Sequence, residues 1–172
     1  MTANRIIGLD PGLRRMGWGV IETDGARLRH CGHGVITSDD KAATAERLVQ
    51  LHEALAAVLK DSAPHAAAVE ETFVNNNPAS TLKLGLARGI CLLVPAQAGV
   101  AVHEYPANLI KKSVVGTGHA GKEQIQMMVA RLLPSLGALS ADAADALAVA
   151  ICHSHHAQTR ATLGGVMAGA AR

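Results

Sequence analysis

Five acidic residues of this chain lie next to or within apolar segments: Asp10, Glu70, Glu71, Asp142 and Asp145. The first three end segments with the pattern of buried strands, and the carboxyl ends of strands in an open α/β sheet are where ligand sites form. Asp142 and Asp145 are three residues apart in an alanine-rich stretch, so both face one side of a helix. Three or four such carboxylates in one cleft would repel one another unless a cation lay between them.

The donor atoms indicate the kind of cation. Ligand sets made only of oxygen favour Mg²⁺ or Mn²⁺. Two such ions about 4 Å apart can activate a water and stabilise the leaving oxygen of a phosphodiester. Taken singly, Asp10 could instead cap the turn at Pro11 and Gly12, and Asp142 could simply favour a helix N-terminus. The pattern alone therefore leaves two interpretations open, a shared metal site or separate structural acids.

The elements that would position these acids follow from the hydrophobic pattern. Short apolar or alternating runs predict strands at residues 5–10, 17–23, within 26–37, at 66–71 and at 100–105. Helical periodicity, prolines and Ser140 as an N-cap predict helices at 42–62, 79–94, 106–113, 121–133 and 141–156, with Pro95 disrupting the end of the second. The order βββ-α-β-α-β-α-α-α predicts an α/β fold, a mixed sheet with helices on both faces. Residues 1–158 should form this domain, and the Gly- and Ala-rich segment 159–172 should be a flexible tail.

Composition limits the classes of protein. The chain has 172 residues, enough for one domain with a sizeable core, and a formal net charge of +2. The three cysteines form no CxxC pair, so neither a disulfide framework nor a structural zinc site is expected. The first residues lack the pattern of a signal peptide, and the longest apolar run, residues 90–96, is too short to span a membrane. We expect a cytoplasmic protein that neither spans nor binds a membrane.

Five segments, taken in order, resemble one protein family: GLDPG (8–12), VEETF (69–73), TLKLGLARG (81–89), KKSVVGTGHAGK (111–122) and DAADALAVAI (142–151). This set resembles the RuvC family of bacterial Holliday junction resolvases and covers the chain from Ile6 to about His155. LDPG alone would be weak, since other enzymes of related topology share it, whereas the ordered set is highly specific. The resemblance implies a ribonuclease-H-like fold and a homodimeric endonuclease that nicks two strands of a four-way DNA junction symmetrically. It also implies the RuvA–RuvB branch-migration complex as a partner.

The resemblance further assigns the metal ligands. The matching positions carry Asp10, Glu70, Asp142 and Asp145. The expected cofactor is Mg²⁺, two ions per subunit, which Mn²⁺ could replace. The family motif selects Glu70, and strand alternation points its neighbour Glu71, which stands where glutamine is usual, to the opposite side.

Several further residues are expected to contact DNA. Lys111 and Lys122 flank a Gly-rich loop and match family lysines near the scissile phosphate, where an ammonium group would offset transition-state charge. Phe73 enters an Asn-rich loop, where an aromatic ring can stack on an unpaired base; burial in the core is the alternative. Setting the four ligands aside leaves 10 of the 14 acidic residues against 16 basic ones, which favours a polyanionic partner. The bases expected around the cleft are Arg14, Arg15, Lys83, Arg88, Lys111, Lys112, Lys122 and Arg160.

Gly85 and Gly89 stand four apart on the predicted second helix, a spacing that lets another helix approach closely. The family has this helix at its dimer interface, although packing within one subunit is the alternative.

Three other functions fit parts of the pattern. An RNA–DNA hybrid nuclease would use the same fold and acids. A kinase-like ATPase shares the DPG turn but usually has a second lobe, for which 172 residues leave no room. A non-catalytic junction-binding protein would carry a broken set of acids, whereas this set is whole.

Overall fold

The chain folds around one five-stranded sheet. The structure, a computed structural model, describes residues 3–72 and 77–170, with side chains as far as Thr159. The strands are β1 (Asn4–Asp10), β2 (Arg15–Asp24), β3 (Arg27–Thr37), β4 (Ala66–Glu71) and β5 (Ala101–Pro106). They lie in the order β3-β2-β1-β4-β5, in which β1 to β3 form an antiparallel meander and β4 and β5 run parallel to β1. This is the mixed sheet that the sequence predicts.

Five helices cover the two faces of the sheet: α1 (Thr44–Ser62), α2 (Pro78–Gln97), α3 (Ala107–Val115), α4 (Lys122–Leu132) and α5 (Ala141–Ala170). On one face, α1 and α2 pack against Ile7 and Leu9 of β1. On the other face, α3, α4 and α5 pack against Ile6 of β1 and Ile21 of β2. The alternation of side chains along β1 thus supplies both cores. The predicted fold class, with helices on both faces, is confirmed.

Two helix ends differ from the prediction. The sequence predicts that Pro95 disrupts the end of α2, but the helix continues through it to Gln97. Pro95 lacks the amide hydrogen that would bond the carbonyl of Cys91, but only two helical residues follow it, and its own carbonyl oxygen accepts a hydrogen bond from the amide of Val100 at 2.9 Å. The last helix, predicted to end near His156, remains helical to Ala170, although three glycines, which disfavour helix, lie in the added segment. The flexibility expected of residues 159–172 stays a prediction.

Candidate metal centre and active site

The parallel pairing of β1 with β4 brings Asp10 and Glu70 to the same edge of the sheet. Leu9 pairs with Val69, and in each strand the next residue is the acid. Strand alternation places both carboxylates on the face that α5 covers. Glu71, one residue further along β4, points to the other face. The structure therefore brings Glu70, rather than Glu71, together with Asp10.

Helix α5 touches the sheet closely because glycine occupies the strand positions beneath it. A Cβ atom on Gly8 of β1 would overlap the carbonyl oxygen of Ala146, and one on Gly17 of β2 would overlap that of Asp142. A residue with a side chain does not fit at either position. The alanines of α5 predict this approach from the helix side only. The alternation of Gly17 and Gly19 in β2 is the matching signal on the sheet side, which sequence reasoning missed.

Three of the four predicted acids line one pocket of about 270 Å³: Asp10, Glu70 and Asp145. Lys111 of α3 and Lys122, the first residue of α4, line the same pocket. A larger pocket of about 480 Å³ lies on the other face of the sheet, beside α1, but a single acid is among its lining residues. The smaller pocket is therefore the one that suits cation and phosphate chemistry.

Burial and mutual repulsion disfavour the ionised forms of the carboxylates in this pocket. Burial, followed by repulsion from the other three acids, raises the pKa of Asp10 from 3.8 to about 8. Burial, followed by repulsion from Asp145, raises the pKa of Glu70. Burial also raises the pKa of Asp145, and the two lysines partly offset the increases at Glu70 and Asp145. A group of acids that resists full ionisation has the electrostatic character of a cation site.

The fourth acid, Asp142, is paired with an arginine. Its Oδ2 accepts a hydrogen bond from Nε of Arg15 at 2.7 Å. Across residues 3–72 and 77–159, no three His, Cys, Asp or Glu side chains already lie at the spacing that would hold an ion. The donor chemistry nevertheless fits Mg²⁺, since the acids of the pocket offer oxygen ligands and the raised pKa of Asp10 shows that a positive charge there would be stabilising.

Two arginines that we expected around the cleft have acidic partners elsewhere. An Nη atom of Arg14 lies 3.3 Å from Asp40, and Nε of Arg88 donates to Glu104 at 2.7 Å. Neither arginine lines the pocket. DNA would have to compete with these carboxylates, so the DNA contacts of Arg14 and Arg88 stay predictions.

Within the described part of the chain, none of the other residues predicted to contact DNA lines the pocket. Lys83 of α2 and Lys112 of α3 are exposed and do not line it. Phe73 and the side chain of Arg160 lie outside the described residues. The stacking role of Phe73 therefore stays a prediction.

Comparison with known proteins shows close relatives along nearly the whole chain. The family model for crossover junction endodeoxyribonuclease RuvC matches residues 6–153. A crossover junction endodeoxyribonuclease RuvC from Paramagnetospirillum magneticum is 63% identical over 164 residues, which cover 95% of this chain and 99% of that protein. Its counterpart from Acidiphilium cryptum is 61% identical over 155 residues, which cover 90% and 93% of the two chains.

Solved structures show the same fold. T. thermophilus RuvC in complex with a Holliday junction substrate matches with a TM-score of 0.84 and 32% identity, over 91% of this chain and 96% of that chain. The yeast mitochondrial Holliday junction resolvase Ydc2 matches with a TM-score of 0.63 at 12% identity, a likeness of fold alone, over 91% of this chain and 82% of that one. Because the family model and relatives of high identity both span most of its length, this chain belongs to the crossover junction endodeoxyribonuclease RuvC family.

Proposed function

We propose that this protein is an endonuclease that resolves Holliday junctions by paired, symmetric nicks in recombination and DNA repair. One observation carries the proposal: three acids and two lysines line a single pocket at the carboxyl ends of two adjacent parallel strands. The carboxylates of this pocket can hold a cation, and the ammonium groups beside them can hold a phosphate of the substrate. Family membership and the junction-bound relative favour four-way junction DNA as the source of that phosphate.

The residues of the pocket have separate tasks in this mechanism. The proposed cation ligands are Asp10, Glu70, Asp142 and Asp145. Mg²⁺ is the proposed cofactor, with two ions per subunit and Mn²⁺ as a substitute; when bound, the metal supplies Lewis acidity to the attacking water and the leaving oxygen. Lys111 and Lys122 bind the scissile phosphate and stabilise the charge that its oxygens gain in the transition state. The apolar residues in the pocket wall, among them Ile110 and Ile125, would lower the local dielectric constant and so strengthen both interactions.

The proposed homodimer interface is the outer face of α2. Leu82, Leu86 and Leu93 are 72%, 45% and 48% exposed and recur along one stripe of the helix. Gly85 and Gly89 lie on the same stripe, with open space where a Cβ would stand, so a second helix can approach closely. By length and composition alone α2 could also cross a membrane, with 20 residues and a mean hydropathy of 1.3. A second copy of α2 would cover this apolar stripe in water.

The interface is tested with a charge on that stripe. Leu86→Glu should convert the dimer to a monomer in analytical ultracentrifugation and turn paired nicks into independent single nicks. Met127→Glu is the matched control, because Met127 is an exposed apolar residue of α4, at 64%. An unchanged mass for Leu86→Glu would contradict an interface on α2.

The proposed setting is the cytoplasm, where the enzyme would act with the RuvA–RuvB branch-migration complex. Both proposals rest on family membership. Simultaneous binding of purified RuvA–RuvB and this protein to an immobilised four-way junction, and not to duplex DNA, would support the partnership. Competition between the two for the junction would contradict it.

The deciding experiment is cleavage of end-labelled DNA in Mg²⁺ by the wild type, Asp10→Asn and Glu71→Gln. The substrates are a synthetic four-way junction, the matched duplex and an RNA–DNA hybrid. We expect paired nicks in the junction alone, lost in Asp10→Asn while binding persists, and kept in Glu71→Gln, whose altered group points away from the pocket. Cleavage of the hybrid instead would indicate an RNA–DNA hybrid nuclease. Binding of the junction without cleavage, in Mg²⁺ and in Mn²⁺, would indicate a non-catalytic binding protein.

A further inference from the structure

The ion pair between Arg15 and Asp142 joins strand β2 to the first turn of α5. The Nε–Oδ2 distance of 2.7 Å lies in the range of a charge-assisted hydrogen bond. The other three acids line the pocket with Lys111 and Lys122, whereas Asp142 is not among the lining residues. Asp142 is therefore a proposed cation ligand that already has a cationic partner of its own.

The backbone contact at Gly17 accounts for this pair. Because Gly17 has no Cβ, the carbonyl group of Asp142 can lie directly against β2. Arg15 precedes Gly17 by two residues in the same strand, so its side chain points to the same face, the one that α5 covers. The contact that seats α5 on the sheet thus also brings the Arg15 guanidinium to the start of that helix.

Both side chains of the pair are partly exposed, and Arg15 also lines a surface groove. The side chains of Arg15 and Asp142 are 50% and 32% exposed. The groove has a volume of about 370 Å³, and its charged lining residues are Arg14, Arg15, Asp39 and Asp40. Arginine is a common partner of DNA phosphates, and an ion pair this exposed is weak enough to exchange one anion for another.

We infer that Arg15 is a positioning residue that holds Asp142 out of the cation site until a DNA phosphate takes over its guanidinium. This inference rests on the proposed function, because it takes Asp142 to be a cation ligand. In the free protein, Arg15 and the cation compete for one carboxylate, and the charge of Arg15 also opposes a nearby divalent ion. Once a phosphate binds Arg15, the carboxylate is released. Cation binding and DNA binding then favour each other, and the site is completed only on its substrate.

Cation binding to the free protein tests the inference. Ca²⁺, a hard cation that takes oxygen ligands, is titrated calorimetrically into metal-free wild type, Arg15→Gln, Arg15→Lys and Arg29→Gln. Arg15→Gln should bind Ca²⁺ about two- to fivefold more tightly, the range for loss of a partly exposed ion pair. Arg15→Lys keeps the charge and should resemble the wild type. Arg29→Gln, the matched control, removes the same charge from an exposed residue of β3 that pairs with Glu22 and should leave the affinity unchanged.

A second measurement is the increase in Ca²⁺ affinity when a four-way junction is added. The wild type should show a larger increase than Arg15→Gln, in which Asp142 is already released. Weaker or equal Ca²⁺ binding by free Arg15→Gln would overturn the inference.

Two further variants separate this inference from the proposed function. Both are measured with the four-way junction bound, the state in which the inference has Asp142 released to the cation. If neither Asp10→Asn nor Asp142→Asn lowers the Ca²⁺ affinity of that complex, the proposed metal site itself is wrong. If both lower it while Arg15→Gln does not raise the Ca²⁺ affinity of the free protein, only the role of Arg15 is wrong.

Discussion

The amide nitrogen of Ala150 lies 2.7 Å from the point where a Cβ atom on Gly8 would stand, so α5 and β1 touch backbone to backbone. Asp10 follows Gly8 by two residues on the same face of β1. Asp145 directly precedes Ala146, whose carbonyl oxygen meets Gly8 as well. A glycine that carries no chemistry therefore sets the distance between two acids of the pocket.

Gly8→Ala should destabilise the fold. The added methyl group would overlap the backbone of α5, and overpacking of this kind costs about 1–3 kcal/mol. The measurement is the free energy of unfolding in urea. The matched control is Gly137→Ala, where open space would surround the new methyl group. A Gly8→Ala protein as stable as this control would mean that α5 can shift on the sheet at no cost.

The metal-free protein should lose stability as the pH rises. Folding raises the pKa of Asp10 from 3.8 to about 8, so between these values the folded state binds more protons than the unfolded state. The stabilising contribution of the protonated acid is complete below 3.8 and is lost as the pH rises through about 8. Asp10→Asn lacks the contribution of this group, and only the smaller dependence from Glu70 and Asp145 remains. In EDTA at pH 8 the free energy of unfolding of Asp10→Asn should exceed that of the wild type by several kcal/mol, and the difference should shrink toward pH 4.

Thermal unfolding in EDTA across that pH range measures this difference. Glu71→Gln is the control, since it removes a neighbouring carboxylate that lies outside the pocket. Added Mg²⁺ should stabilise the wild type more than Asp10→Asn, because a bound cation offsets the repulsion among the acids. An Asp10→Asn protein less stable than the wild type at pH 8 in EDTA would contradict the electrostatic account.

Lys122→Gln should impair cleavage more than DNA binding. The ammonium group of Lys122 lowers the pKa values of Asp10, Glu70 and Asp145. Its removal raises them, so the acidic limb of the rate–pH profile should move to higher pH, and the maximal rate should fall about 10²-fold. Lys112→Gln removes an equal charge from an exposed residue outside the pocket and should leave the profile in place. A fall in rate with an unshifted profile would mean that Lys122 does not act through the acids.

The three cysteines should differ in reactivity toward a thiol reagent. Burial raises the pKa values of Cys91 and Cys152, which keeps both thiols protonated and inaccessible, whereas Cys31 is exposed. One thiol per chain should therefore react with Ellman's reagent in the native protein, and three in the denatured protein. Cys31→Ser should abolish the native signal. A native signal that persists in this variant would mean that α2 or α5 opens on the timescale of the assay.

The order of strands and helices could be predicted because its signals are local. The strand that ends in Asp10 and the one at Ala66–Glu71 are marked by their own apolar runs, and Ser140 marks the start of α5. The Ser140 Oγ does accept a hydrogen bond from the amide of Ala143, at 3.4 Å. The ends of α2 and α5 were less predictable, since both helices continue past residues that usually end a helix, Pro95 in α2 and three glycines in α5.

The amino-acid sequence by itself determined which acids end which strands, and its ordered motifs determined the family. Only the tertiary structure decided how the charged groups are paired. Arg15 and Asp142 are 127 residues apart, and Arg88 and Glu104 are 16 apart on different elements. No local pattern encodes such pairs, because they depend on how closely a helix can approach the sheet. For α5, that approach is set by the strand glycines Gly8 and Gly17, whose effect comes from the side chain that they lack.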